Sequence, residues 1–305
     1  MAEYSIGLDL GGTNLRAAVI SRDGRLLEKI SVSTNPALGR EAMLGEMVAS
    51  INQLRSRWGT NDLAGIGLGV PGFIRLKEGV ISNSNNLACL EDFPFRDEME
   101  RRLETRFILE NDANAAALGE KWIGAGRDVD DLVLFTLGTG IGGGIISGGK
   151  VLHGFLGMAG ELGHLTVVPN GIPCGCGNQG CVEKHASATA ISAMARILRL
   201  GENLSAQDVY ELGMKGDERA LTVFRCMGEA LGIALATAVN AFNFPLYLLS
   251  GGVLGAWDLF APVMMEEARR RSFTLRSTHT RVEKAILGDE AGLFGAAYLP
   301  WVGQD

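Results

Sequence analysis

The sequence predicts an α/β protein built from two related lobes, and three observations carry that reading. Strand-like and helix-like stretches alternate along the whole chain. A strand, a glycine turn and a second strand open the sequence around Gly11-Gly12-Thr13, and the same device returns 127 residues later at Gly138-Thr139-Gly140. Such an echo suggests two lobes of common design facing one another, with the cleft between them as the expected site. Finally, 47% of the 305 residues are apolar and 21% are charged, enough to build packed cores and unlike a disordered, collagenous or coiled-coil chain.

The elements follow in order. Ser5 to Leu10 alternates apolar with small or polar residues, the glycines interrupt it, and Leu15 to Ile20 resumes an extended pattern. Arg22-Asp23-Gly24-Arg25 supplies a turn before a third strand, Leu26 to Val32. From Arg40 to Trp58 the residues Met43, Met47, Ile51 and Leu54 share one helical face. A buried strand, 64–70, ends at Pro71-Gly72, and a polar loop leads to a helix over 95–105. The strand 107–110 then gives way at Asn111 and Asp112 to an Ala-rich helix, 113–123. Strands over 132–137 and 144–147 flank the second glycine turn, and a cysteine-rich insertion occupies 153–185. Helices are predicted over 186–199, 218–242, 257–271 and 290–301, with strands at 246–250 and 282–287.

Charge and composition narrow the class of function. The net charge of −7 disfavours nucleic acid and anionic membranes, and the Arg269–Arg271 run is too short to reverse that. The N-terminus has neither a basic start nor an apolar run of signal-peptide length. Ala230 to Trp257 is free of charge for 28 residues, but Asn240, Asn243, Pro245 and Gly251-Gly252 interrupt it, so it reads as a buried helix and strand and not as a membrane span. Three of the five cysteines lie within eight residues, too crowded for a conventional disulfide framework. A cytoplasmic protein is expected.

The two glycine turns carry the first chemistry. Gly11-Gly12-Thr13-Asn14 and Gly138-Thr139-Gly140-Ile141-Gly142-Gly143-Gly144 offer bare backbone N–H groups and hydroxyls that can wrap phosphate oxygens, which points to a nucleotide. Either alone could be an ordinary hairpin. The second matches the spacing of a dinucleotide fingerprint, but a strand follows it where that fingerprint needs a helix, and no P-loop sequence is present. Asp9, just ahead of the first turn, suits Mg²⁺ held through water.

Three segments together, Asp9-Leu10-Gly11-Gly12-Thr13-Asn14, Glu110-Asn111-Asp112-Ala113 and Leu137 to Gly144, resemble those of the ROK family of bacterial sugar kinases and repressors. The likeness runs from residue 4 to about residue 298. It implies the two-lobed actin-like, hexokinase-like ATPase fold with duplicated ribonuclease H-like domains and a zinc-binding loop. On that basis the smaller lobe is expected over 1–116, joined by the C-terminal helix 290–305, and the larger over 117–289. The implied activity is ATP-dependent phosphorylation of a hexose, most simply glucose, at its 6-hydroxyl, by an enzyme that is a homodimer or homotetramer. A sugar-sensing repressor of the same family is the alternative from another class. The first strand begins near Tyr4 and leaves no room before it for a DNA-binding helix pair, and the charge disfavours DNA.

His164 and, ten residues further on, Cys174, Cys176 and Cys181 offer four ligands for tetrahedral Zn²⁺, with no open position, so the ion is expected to be structural. Incidental cysteines in a glycine-rich loop, or a redox dithiol at Cys174 and Cys176, are the competing readings. The resemblance implies that Glu161, His164 and Glu183 touch the sugar, that Gly72 and Asn86 lie in segments that close on it, and that Gly251-Gly252 form the adenosine-side turn. Asp112 is the candidate general base for the sugar hydroxyl, with Asn111 orienting the same sugar; the competing reading makes Asp112 a helix N-cap. Ala88-Cys89-Leu90 and Val182 depart from the Gly-Trp and Trp of related glucose kinases, which bears on the choice of sugar and not on the reaction. N-acetylmannosamine, N-acetylglucosamine, fructose and mannose stay open as substrates.

Overall fold

A computed structural model describes residues 2–84 and 87–302. Asn86 therefore lies outside the described residues. In chain order the elements are β1 (Tyr4–Leu10), β2 (Asn14–Ser21), β3 (Leu26–Ser33), α1 (Arg40–Trp58), β4 (Leu63–Val70), β5 (Phe73–Arg75), β6 (Val80–Ser82), α2 (Phe95–Leu103), β7 (Phe107–Asn111) and α3 (Asp112–Trp122). There follow β8 (Leu132–Leu137), β9 (Ile141–Ser147), β10 (Lys150–Val151), α4 (Glu183–Ala186), α5 (Ala188–Ile197), α6 (Ala206–Met214), α7 (Glu218–Phe242), β11 (Leu246–Ser250), α8 (Trp257–Arg271), α9 (Phe273–Ser277), β12 (Arg281–Lys284) and α10 (Ala291–Val302).

The chain divides into two compact units, one of Met1–Asp130, Gly144–Gly160 and Ile286–Asp305, the other of Asp131–Gly143 and Glu161–Ala285. The first is organised on a sheet of order β3-β2-β1-β4-β7. β1, β2 and β3 are antiparallel neighbours joined by tight turns, whereas β4 and β7 run parallel to β1, which requires the helical crossovers α1 and α2. The predicted stripe Met43, Met47, Ile51 and Leu54 of α1 is fully buried in one cluster with Ile6, Leu8, Leu68 and Phe107 of the sheet. On the sheet's other side Leu293, Phe294 and Ala297 of α10 pack with Ala18 and Ile20. α10 also lies close on α3: a Cβ at Gly295 would stand 1.6 Å from the Ala115 carbonyl oxygen, so only glycine fits there.

In the second unit β11 lies between β8 and β12, all parallel, and carries five buried residues. α7 is long and apolar enough to cross a membrane by length and composition, but 67% of its most apolar window is buried inside the protein, so it is a core helix, packed on α8. The helix expected over 186–199 is α5, Ala188–Ile197, because Ser187 ends the short α4 before it and caps α5, accepting from the Ala190 N–H. The strand expected over 282–287 is shorter, Arg281–Lys284. No disulfide links the five cysteines.

Candidate functional site

In the first unit the parallel strands β1, β4 and β7 deliver Leu10, Val70 and Asn111 to the same edge of the sheet, the carboxyl edge where α/β sheets present ligand-binding loops. The turn beyond β1 is closed by the Gly11 N–H donating to the Asn14 carbonyl at 2.9 Å, with Thr13 and Asn14 exposed. Asp9 stands opposite Arg16 in the β1–β2 register, and its carboxylate accepts from that guanidinium. Gly72 follows β4, and its carbonyl accepts from Asn111 Nδ2 at 3.2 Å.

The junction of β7 and α3 sorts the two candidates at its tip. Asn111 is the N-cap, its Oδ1 accepting from the Ala113 and Asn114 N–H groups at 2.9 and 3.2 Å. Asp112 is thus the first helical residue and not the cap, although its own Oδ1 also receives the Ala113 N–H at 2.8 Å. Its backbone and the Asp9 side chain flank the same point on α10: a Cβ at Gly292 would lie 3.8 Å from the Asp9 Cγ and 3.9 Å from the Asp112 carbonyl oxygen. Asp9 and Asp112, distant in sequence, therefore converge within one unit.

In the second unit Gly138 and Gly140 close the second turn, the Gly138 N–H donating to the Gly140 carbonyl at 3.0 Å. The start of α5 holds it: the Ala188 N–H donates to the Gly138 carbonyl and Thr189 Oγ1 to the Thr139 carbonyl. Gly142 and Gly143 continue into β9. Glu183 reaches the same turn, its Oε2 accepting the Ile141 N–H at 3.0 Å. A cavity of about 370 Å³ is lined by Gly138, Thr139, Ile191, Tyr210, Phe224 and Gly252, so the second turn and Gly252 open on one space of ligand size, whereas Gly251 lies close against the Leu137 backbone.

The metal-ligand candidates do assemble. His164, Cys174, Cys176 and Cys181 place their donor atoms within 4.8 Å of one another. Cys176 Sγ and Cys181 Sγ are 3.7 Å apart, as are Cys174 Sγ and His164 Nδ1. Tetrahedral Zn²⁺ with Zn–S bonds of about 2.3 Å would set sulfurs about 3.8 Å apart, so the cluster has the size of a zinc site. His164 turns its other nitrogen, Nε2, toward Glu161 Oε2 at 3.8 Å, longer than a hydrogen bond. Burial pushes the Glu161 carboxyl above its usual value; His164 opposes that shift, and the nearby Glu183 charge adds to it. Two carboxylates, Glu161 and Glu183, thus lie near the His164 edge of the cluster.

A family model, the ROK family, matches residues 5–301. The chain belongs to the ROK family. A glucokinase of Halalkalibacterium halodurans is 36% identical, covering 97% of this chain and 94% of that one. Among solved structures, a ROK hexokinase from Thermus thermophilus superposes with a TM-score of 0.86 at 36% identity, over 96% of each chain. A ROK family glucokinase from Streptomyces griseus, in complex with glucose and AMPPNP, gives 0.79 at 34% identity, over 98% of this chain and 100% of that one. The mixed α/β fold is therefore that of ROK hexokinase-like proteins.

Sequence reasoning passed over Arg16, Tyr210 and one long-range pairing. Arg16 could have been found from the strand register that faces it to Asp9. Tyr210 comes from α6, which the capping box Ser205-x-x-Asp208 signals. The pairing of His153 with Glu110, across 43 residues, leaves no local signal.

Proposed function

We propose that the chain transfers the γ-phosphoryl group of ATP to the 6-hydroxyl of a hexose, glucose in the first instance. The observation that carries this is that Asp112, first residue of α3, and Asp9, just ahead of the first glycine turn, flank one point at Gly292. Names of the relatives support the sugar and the donor: the H. halodurans protein is a glucokinase, and the S. griseus structure holds glucose and an ATP analogue.

Phosphoryl transfer asks the protein mainly for alignment and charge stabilisation. Asp112 accepts the hydroxyl proton as the oxygen attacks phosphorus, and Asn111, its Oδ1 committed to the cap and one Nδ2 hydrogen to the Gly72 carbonyl, orients the sugar through the second Nδ2 hydrogen. N–H groups at Gly12, Gly140, Gly142 and Gly143, with the Thr13 and Thr139 hydroxyls, receive phosphate oxygens, while Gly11 and Gly138, whose N–H groups close the two turns on the Asn14 and Gly140 carbonyls, shape the cradle. The Mg²⁺ that accompanies ATP neutralises phosphate charge, and Asp9 would hold it through water. Glu161, His164, Glu183 and Gly72 serve the sugar, and Gly251 and Gly252 give room to the nucleoside.

His164, Cys174, Cys176 and Cys181 would hold zinc in a structural role. Four protein donors fill a tetrahedron and leave no place for water, and three thiolates favour zinc over Mg²⁺. Such thiolates persist in a reducing cytoplasm, the compartment we assign, and the homodimer or homotetramer implied by the resemblance is the assembly we expect. A coupled ADP-release assay across glucose, mannose, fructose and the N-acetylhexosamines tests the reading. ADP release dependent on glucose is expected, and none with any of these sugars would refute it.

A further inference from the structure

Glu110, the penultimate residue of β7, lies two residues before Asp112 and is only 1% exposed. A carboxylate so deep is tolerated only if its oxygens are met. Oε1 accepts the Asn111 backbone N–H at 2.9 Å and Asn114 Nδ2 at 3.0 Å, while Oε2 lies 2.7 Å from His153 Nε2. One side chain thus ties together the peptide entering Asn111, the first turn of α3 and the loop after β10. Burial on its own would lower the His153 pKa, but the hydrogen bond and charge of Glu110 outweigh it and the net shift is upward, toward an imidazolium paired with a carboxylate.

We infer that Glu110 and His153 are positioning residues for the sugar side of the reaction: His153 fixes the Glu110 carboxylate, which holds the Asn111 N–H and the Asn114 side chain on either side of Asp112 and so aims the Asp112 carboxylate. This rests on the reading of Asp112 as the base. Removing the imidazole leaves Oε2 buried and unmatched. Glu110 must then turn or admit water, and either movement releases the Asn111 N–H at the point where the helix cap begins. Productive geometry tolerates errors well under an ångström, so the loss falls on sugar turnover and sugar KM and spares ATP. A merely structural pair would lower thermal stability and the active fraction while leaving the sugar KM alone.

The test compares the parent chain with His153→Asn and His153→Gln, measuring kcat and KM for glucose and for ATP per mole of folded protein. With Asn, too short to reach Glu110, kcat/KM for glucose should fall roughly ten- to a hundredfold, with the ATP KM within about twofold. The longer Gln should restore glucose kcat/KM to within about threefold of the parent. Parent-like glucose parameters in the Asn variant, or equal damage in both, overturn the inference. Should the Asn variant not fold, hydrogen exchange of residues 108–114 in the parent decides. Glu110 faces the ring directly, and Arg75, Lys77 and Glu78 line the cavity that His153 borders. Faster exchange at about pH 9 than at about pH 6, after correction for intrinsic rates, supports the pairing, and equal protection overturns it. A parent chain that phosphorylates no hexose removes the base reading and this inference together, whereas an active parent matched by its Asn variant removes the inference alone.

Discussion

Gly140→Ala isolates the contact between the second glycine turn and Glu183. A Cβ at residue 140 would lie 2.5 Å from Glu183 Oε2 and 3.3 Å from its Cδ, with no backbone atom so near. The far end of a flexible side chain is what must move, so the fold should survive with little change in Tm. The displaced carboxylate loses the Ile141 N–H, a charge-assisted hydrogen bond of 3.0 Å. Such a bond contributes about 1.5–3 kcal/mol. If that energy is what fixes Glu183 toward the sugar, glucose affinity falls by roughly ten- to a hundredfold at about 1.4 kcal/mol per decade. Glucose binding by calorimetry is measured for the parent, Gly140→Ala, Glu183→Ala and the double variant. In that cycle the glycine substitution should cost almost nothing once Glu183 is absent, because the group it displaces is gone. A full additional loss in the double variant would refute the reasoning and assign the damage to the turn itself.

Cys176→Ser should lower bound zinc from about one per chain to near zero by plasma emission analysis, and Tm by at least about 5 °C, because three thiolates and an imidazole close the loop around the ion. The His153 pair also makes stability depend on pH: its folded pKa is raised, so its stabilisation is complete below the ordinary value of 6.5 and fades as pH rises through the folded value. The Tm deficit of His153→Asn relative to the parent should therefore be larger at about pH 5.5 than at about pH 9 in thermal melts. Gly295→Ala forces a Cβ against the Ala115 carbonyl oxygen, backbone that cannot yield, and should destabilise by about 1–3 kcal/mol in urea titration.

What the sequence revealed depended on how local the cause was. The bounds expected for α1, α7, α8, β8 and β11 coincide with those observed, because a stripe of 3.6 period or an uninterrupted apolar run decides them within the segment. The short β5–β6 hairpin, α6 and α9 were passed over, since three to nine residues carry too little periodicity to outweigh polar surroundings. At the β7–α3 junction both Asn111 and Asp112 are good caps by type, and only the backbone geometry assigns the task to Asn111. Spacing of His164 and the cysteines did foretell that their donor atoms could gather, as the loop between them is short. The Glu110–His153 pair could not be foretold, because the packing that joins β7 to the loop after β10 has no trace in either segment.

Replacement of Asp112 by Asn tests the central claim most directly, since the amide keeps the shape of the side chain and cannot take a proton. Glucose binding should stay within about threefold of the parent, while kcat falls by about 10²- to 10⁴-fold, the range a positioned general base supplies. Undiminished turnover in that variant would contradict the account.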